Sequence, residues 1–279
     1  MVSQLSIVFM IISALMVFVF PLGAIIYLYK KERITMKAVG VGALTFFLFQ
    51  IMTRIPLLSF LSTQSWFQGL AVNLFFSAVL VGGLSAGLFE EVGRYLAFRY
   101  PLKRDLSWQN GVAFGLGHGG IEAIVLVGIT YIMNIVISIM INTGQFENLI
   151  GPGLDAATAA TIKSQLVNTP PVYFLIGGLE RFFTLFIQVG LSLVVLYGVR
   201  TRQIRYLVYA ILLHTLVNAP PVILLERGAN IWWVELYVFI VAASAGFWIV
   251  RARSLLRQQA TVKTVEEGAV ENGTEGEGV

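Results

Sequence analysis

The chain has 279 residues, 57% of them hydrophobic and only 12% charged, with a mean hydropathy of +0.81. A soluble domain carries roughly twice that charge, so the composition excludes one and points to a multi-pass membrane protein. The net charge of +4 does not indicate nucleic-acid binding, because Lys and Arg cluster between apolar runs as they do in proteins oriented by the membrane, and the absence of cysteine excludes disulfides, thiolate metal sites and cysteine nucleophiles.

The amino terminus has neither a basic n-region nor a small-residue cleavage site before its first apolar run, and reads as a retained span. Seven apolar stretches, near residues 5–29, 37–60, 69–99, 107–142, 171–199, 204–225 and 229–251, each supply the roughly 20 residues a spanning helix needs. The third and fourth exceed that length and are expected to tilt, kink or project. Lys30, Lys31, Arg33 and Lys37 follow the first span, Arg99, Lys103 and Arg104 the third, Arg200, Arg202 and Arg205 the fifth, and Arg251, Arg253, Arg257 and Lys263 the last, whereas the opposite loops carry only Lys163 and Arg227. Under the positive-inside rule the amino terminus is outside and the carboxyl terminus cytoplasmic in a cell membrane.

The Gly- and Pro-bearing segment from Thr143 to Pro170 reads as an external loop with a short surface helix from Asp155 to Leu166. Residues 1–257 are expected to form one transmembrane helical domain. Residues 258–279, rich in Glu, Gly, Val and Thr, are expected to be a disordered acidic cytoplasmic tail, since they bury too little apolar surface to offset chain entropy. No internal repeat is evident, which weakens a transporter reading.

Ionisable groups within the spans are costly and call for a partner, a cavity or a function. Ten stand in or near them: Arg54, Glu90, Glu91, Arg94, His118, Glu122, Glu180, Arg181, His214 and Glu235. At 1.5 Å per residue, Glu90, His118 and His214 lie about 13, 16 and 12 Å from the basic side, so three helices deliver them to a similar depth and suggest one cytoplasm-facing cavity. Glu90 and Arg94 share a helix face, while Glu91 points about 100° away. His214 and Asn218 are likewise four apart, and Pro220-Pro221 just beyond them is expected to disrupt the sixth helix and release backbone carbonyls that the protein or water must satisfy. Gly111, Gly115, Gly117, Gly119 and Gly120 around His118 remove bulk and allow close approach of neighbouring helices. Glu122, four residues after His118, is placed either to orient that imidazole or to pair with Arg54 or Arg181.

Glu90-Glu91-x-x-Arg94, Phe114-x-x-x-His118 and His214-x-x-x-Asn218, in that order on three apolar helices, resemble the three motifs of the CAAX-protease and bacteriocin-processing superfamily of intramembrane endopeptidases. The short EExxR spacing, with the stretches Gly117-His118-Gly119-Gly120-Ile121-Glu122 and Gly178-Leu179-Glu180-Arg181, most resembles its YhfC-type membrane peptidases. The prenyl-protein members have three residues between the second glutamate and the arginine, where this chain has two. The resemblance implies hydrolysis of peptide bonds in a membrane-embedded or lipid-anchored substrate, without a bound metal. Glu90, or Glu91 beside it, would activate water with His118. His214 and Asn218 would stabilise the oxyanion, Arg94 would hold the glutamate motif, and Glu122 and Glu180 would be supporting. CAAX specificity is not carried over.

Three alternatives stay open. Zinc on Glu91, His118 and His214 would make a metalloprotease, although no HExxH motif is present. The same buried ions would also serve a proton-coupled transporter, or a scaffold that keeps them as structural pairs.

Overall fold

A computed structural model of the chain describes residues 1–149 and 153–274, with side chains through residue 257. Among the described residues there is no strand, and seven helices are long and apolar enough to cross a membrane: α1 Gln4–Glu32, α2 Met36–Ser62, α3 Phe76–Arg99, α4 Trp108–Asn142, α5 Pro171–Arg200, α6 Arg205–Glu226 and α7 from Ile231, apolar through Arg257.

Local chemistry sets the helix ends. The Ser3 hydroxyl accepts from the Ser6 amide at 3.0 Å, Thr35 from Ala38 at 3.2 Å and Ser107 from Asn110 at 3.3 Å, each satisfying an amide that the first helical turn leaves without a partner. α5 opens on Pro171 at the start of its first turn, where proline lacks only an amide that had no helical partner. The third span divides where hydropathy suggests one continuous run. A short helix, Ser65–Ala71, comes first, and the Asn73 side chain then accepts from the Phe76 amide at 3.1 Å, restarting the chain as α3. The expected surface helix forms as Ala156–Asn168, with Asp155 accepting from the Thr158 amide at 2.9 Å. α7 continues as backbone helix to Thr274, through most of the segment expected to be a tail; residues 275–279 lie outside the described residues.

α6 corrects one expectation. Pro220 and Pro221 lie inside it, yet the helix runs unbroken to Glu226. Proline at 220 deprives the Leu216 carbonyl of its usual amide, and the Tyr237 hydroxyl on α7 donates to that carbonyl instead. A neighbouring helix thus supplies the missing donor, as proline within a membrane helix requires.

Three helices contain wide, π-type turns, at Phe47–Arg54 in α2, Phe76–Leu84 in α3 and Ile124–Gly128 in α4. Their bonds span five residues, as in Ile55 N–H to the Gln50 carbonyl and Ser85 N–H to the Leu80 carbonyl. This bears on the expected kinking of the third and fourth spans, because such turns re-aim the residues around them.

α5 is the most buried of the seven and touches α1, α3, α4, α6 and α7. α4 packs between α2 and α5, and glycines permit the approach: a Cβ on Gly117 would strike the Val39 backbone carbonyl, and one on Gly115 would lie 2.5 Å from the Val189 backbone. The basic ends are knit together. Arg253 pairs with Glu32 at 2.5 Å, Thr35 donates to Asn110 at 2.7 Å, Trp108 to the Ile249 carbonyl at 2.9 Å and Arg200 to the Leu106 carbonyl at 3.2 Å. At the other end, Asn142 bonds the amide and carbonyl of Val2 at 2.7 and 2.9 Å, and Ala159 and Leu166 of the surface helix cover a second apolar cluster with Met10, Ile137 and Phe174. Leu5, Leu15, Val19, Leu22 and Ile26 line an exposed apolar stripe on α1, a face that lipid would cover.

Candidate active site

Both glutamates meet histidine, each a different one. His118 Nε2 on α4 lies 2.9 Å from Glu90 Oε2, and His214 Nδ1 on α6 lies 2.7 Å from Glu91 Oε1. His214 Nε2 also stands 3.9 Å from Glu90 Oε1, so Glu90 sits between two imidazoles. The close approach of α3 and α6 depends on Gly87, where a Cβ would come within 2.8 Å of the Ile211 carbonyl and 3.2 Å of His214 Cβ. Glu90, Glu91, Arg94, His118 and His214 are at most 3% exposed, so the site is closed to water.

A carboxylate only accepts hydrogen bonds, so a neutral His118 carries its proton on Nε2, facing Glu90, and a neutral His214 carries it on Nδ1, facing Glu91. His118 Nδ1 is then a buried lone pair, and no group bonds it. The His118 ring is held by Phe114, stacked at 6.0 Å between centroids, and by Phe46, edge-on at 5.3 Å.

Arg94 lies beneath the pair. Its guanidinium reaches Glu90 at 3.4 Å and Glu91 at 3.6 Å, and donates to the Gln188 carbonyl at 3.1 Å and Ser192 Oγ at 3.4 Å and to the Gln188 side-chain oxygen. Gln188 passes the connection on, its Nε2 donating to Glu122 Oε2 at 2.5 Å. Glu122 pairs with Arg181 at 3.3 Å, and Arg181 with Glu180 at 2.5 Å. On the other flank Gln50 donates to Glu90 Oε1 at 2.6 Å and accepts from Arg54 at 3.1 Å, while Arg54 is fixed by Ser85 Oγ at 2.9 Å and the Val81 carbonyl at 2.8 Å. The wide turns of α2 and α3 carry Gln50, Arg54 and Val81, so they set this flank.

The structure therefore joins Glu90, Glu91, Arg94, His118, His214, Glu122 and Glu180 in one polar network. Asn218 stands apart: its amide donates to the Gly82 carbonyl at 3.4 Å. Gln50, Gln188 and Ser192 belong to the network and were not anticipated. Their signal was present, since each is a neutral polar residue isolated in an apolar run, and Gln50 with Arg54 and Gln188 with Ser192 keep the four-residue spacing of one helix face.

The chemistry of the donor set suits a metal ion. One ligand atom from each of Glu90, His118 and Glu122 lies within 4.8 Å of the other two, an oxygen and nitrogen set of the kind zinc accepts. Charge points the same way: Glu90, Glu91, Glu122 and Glu180 outnumber Arg94 and Arg181, the arginines paired with them, a carboxylate surplus that a protonated histidine, a bound proton or a cation must relieve in a low-dielectric interior. The expected ligands Glu91, His118 and His214 do not form the convergent trio, because Glu91 turns to His214 while His118 faces Glu90.

A family profile described as YhfC intramembrane metalloprotease matches residues 15–238 of the chain. The chain is 37% identical over 263 residues to the uncharacterized membrane protein YhfC of Bacillus subtilis (strain 168), an alignment that covers 92% of this chain and 100% of the relative. No solved structure matches.

Proposed function

Because the chain belongs to the YhfC intramembrane metalloprotease family, we propose that it hydrolyses a peptide bond of a membrane-embedded or lipid-anchored substrate at the centre formed by Glu90, Glu91, His118 and His214. The observation that carries this reading is the double pairing, Glu90 with His118 and Glu91 with His214, built on three helices around a fully buried Arg94.

In this mechanism a water bound beside Glu90 gives its proton to the carboxylate as its oxygen attacks the scissile carbonyl. His118 holds Glu90 in place and offers a second basic atom at Nδ1. As the tetrahedral intermediate collapses, the proton passes from Glu90 to the leaving amine. A carboxylate base and fixed donors are the groups such a sequence needs. The oxyanion donors are His214, which in its imidazolium form carries a proton on Nε2 as well as on Nδ1, and Asn218, whose 3.4 Å bond to Gly82 is weak enough to exchange for substrate. Substrate entry requires the helices to part, because the centre is closed.

The resemblance implies a metal-free mechanism with zinc as the alternative, whereas the family's description names a metalloprotease. Glu90, His118 and Glu122 would hold a divalent ion, which when bound would supply a water of lowered pKa and polarise the scissile carbonyl. Glu91 and His214 then handle the proton, since they pair outside that trio. We place the amino terminus outside and the carboxyl terminus in the cytoplasm, a reading supported by the basic residues at one set of helix ends.

The test is cleavage of a membrane-anchored reporter by the purified full-length protein in nanodiscs. Glu90→Gln and His118→Ala are expected to lower the rate at least about 100-fold, and unchanged cleavage would defeat the protease reading. Loss of activity with a strong chelator and recovery with zinc selects the metal mechanism; indifference to chelation selects the glutamate one. Proton-coupled uptake by proteoliposomes, lost in the same variants that never cleave the reporter, would replace both with transport.

A further inference from the structure

A cavity of about 660 Å³ lies at the basic end of the molecule between the end of α3 and the turn joining α5 to α6. Arg99, Lys103 and Arg202 line it together with Tyr95, Tyr100 and Gln203, and no carboxylate does. Among the described residues Lys103 and Arg202 make no ion pair, while Arg99 is met by the Tyr95 hydroxyl at 3.1 Å. Among the described residues, three like charges thus share one space without a counter-ion. Arg99 is the last residue of α3, and Arg202 lies just past the end of α5, at the level where spanning helices pass the phosphate layer of a bilayer.

The turn at Arg202 adds an independent observation. Three helices end in the same double-bonded cap, in which two successive amides turn back onto the last helical turn. Gly144 and Gln145 bond Ile141 and Met140, Gly228 and Ala229 bond Leu225 and Leu224, and Arg202 and Gln203 bond Val199 and Gly198. The first two place glycine in the left-handed position, at φ 71° and 77°, and the third places arginine there, at φ 56°. Arginine is held in a conformation that glycine adopts without strain, at a point where its side chain lines the cavity. Gln203 beside it has a buried Oε1 without a hydrogen-bond partner.

We propose that this cavity binds the phosphate of an anionic phospholipid, with Arg99, Lys103 and Arg202 around the phosphate and Gln203 bonded to a hydroxyl of the headgroup. The site is separate from the buried centre and does not depend on the proteolytic reading. Phosphatidylglycerol has the required chemistry, a single negative phosphodiester and a hydroxylated headgroup.

Native mass spectrometry of the full-length protein released from detergent micelles, with phosphatidylglycerol and phosphatidylcholine supplied equally, tests this. The wild type is expected to retain phosphatidylglycerol about tenfold over phosphatidylcholine, and the double variant Lys103→Gln, Arg202→Gly to lose that preference. Arg202→Gly installs the residue the turn favours, so its melting temperature in phosphatidylcholine should be equal or higher, which separates loss of the site from loss of the fold. Equal retention of the two lipids by the wild type, or an unchanged preference in the double variant, overturns the proposal. Displacement of phosphatidylglycerol by millimolar inorganic phosphate would assign the site to free phosphate and overturn it as well.

Discussion

Arg94 holds the two glutamates together at close quarters and is itself wholly enclosed, with Glu90, Glu91, Gln188 and Ser192 taking its charge. Replacing it by methionine keeps the volume but leaves buried carboxylates without their cation, and is expected to destabilise the protein by about 3–5 kcal/mol, read as a lower unfolding midpoint in nanodiscs. Glu91→Gln keeps the shape at a neighbouring position, so it is expected to preserve the fold while reducing reporter cleavage at least about tenfold; full activity would remove Glu91 from the mechanism. Glu90, Glu91, Arg94, His118 and His214 were legible in the sequence because charge inside an apolar run is costly enough to need an explanation. Gln50 and Gln188 were harder to read, since a neutral amide is a cheaper intrusion and many satisfy themselves locally. Helix phase showed that the glutamates diverge, but which histidine each meets is set by the lateral placement of α4 and α6, information no single helix contains.

At the scale of elements, the seven helices follow from hydropathy and length, and their ends from caps such as Ser107 and Asp155. The wide turns and the passage of α6 through Pro220-Pro221 do not, because both depend on what a neighbouring helix offers. Tyr237 is the clearest case. Tyr237→Phe leaves the Leu216 carbonyl without its donor and is expected to cost about 1 kcal/mol, with added mobility in α6 visible as faster amide exchange around Leu216. Close packing can be tested separately. Gly117→Leu would force α2 away from α4, since a Cβ alone already meets the Val39 carbonyl, and a destabilisation of about 1–3 kcal/mol is expected, measured by thermal unfolding.

For the whole molecule, the absence of cysteine makes orientation directly measurable. A single cysteine at Arg104 should react with an impermeant maleimide only after the cells are opened, and one at Thr161 on the surface helix should react in intact cells; the reverse pattern would invert the molecule. Network and lipid cavity share α3 and α5, so occupancy of one end and geometry at the other are carried by the same two rods. The wide turn in α2 has a further consequence, for how the length of the chain can vary. Each such turn holds a residue more than an α-turn does. Deleting Met52, exposed on that turn, should return the segment to ordinary pitch with the helix ends still in phase. Deleting Val41 from a regular turn should rotate everything after it by about 100°. A deletion scan read by surface expression would then show one tolerated gap in α2, and the shortened protein, though folded, would have lost the reach of Gln50 to Glu90.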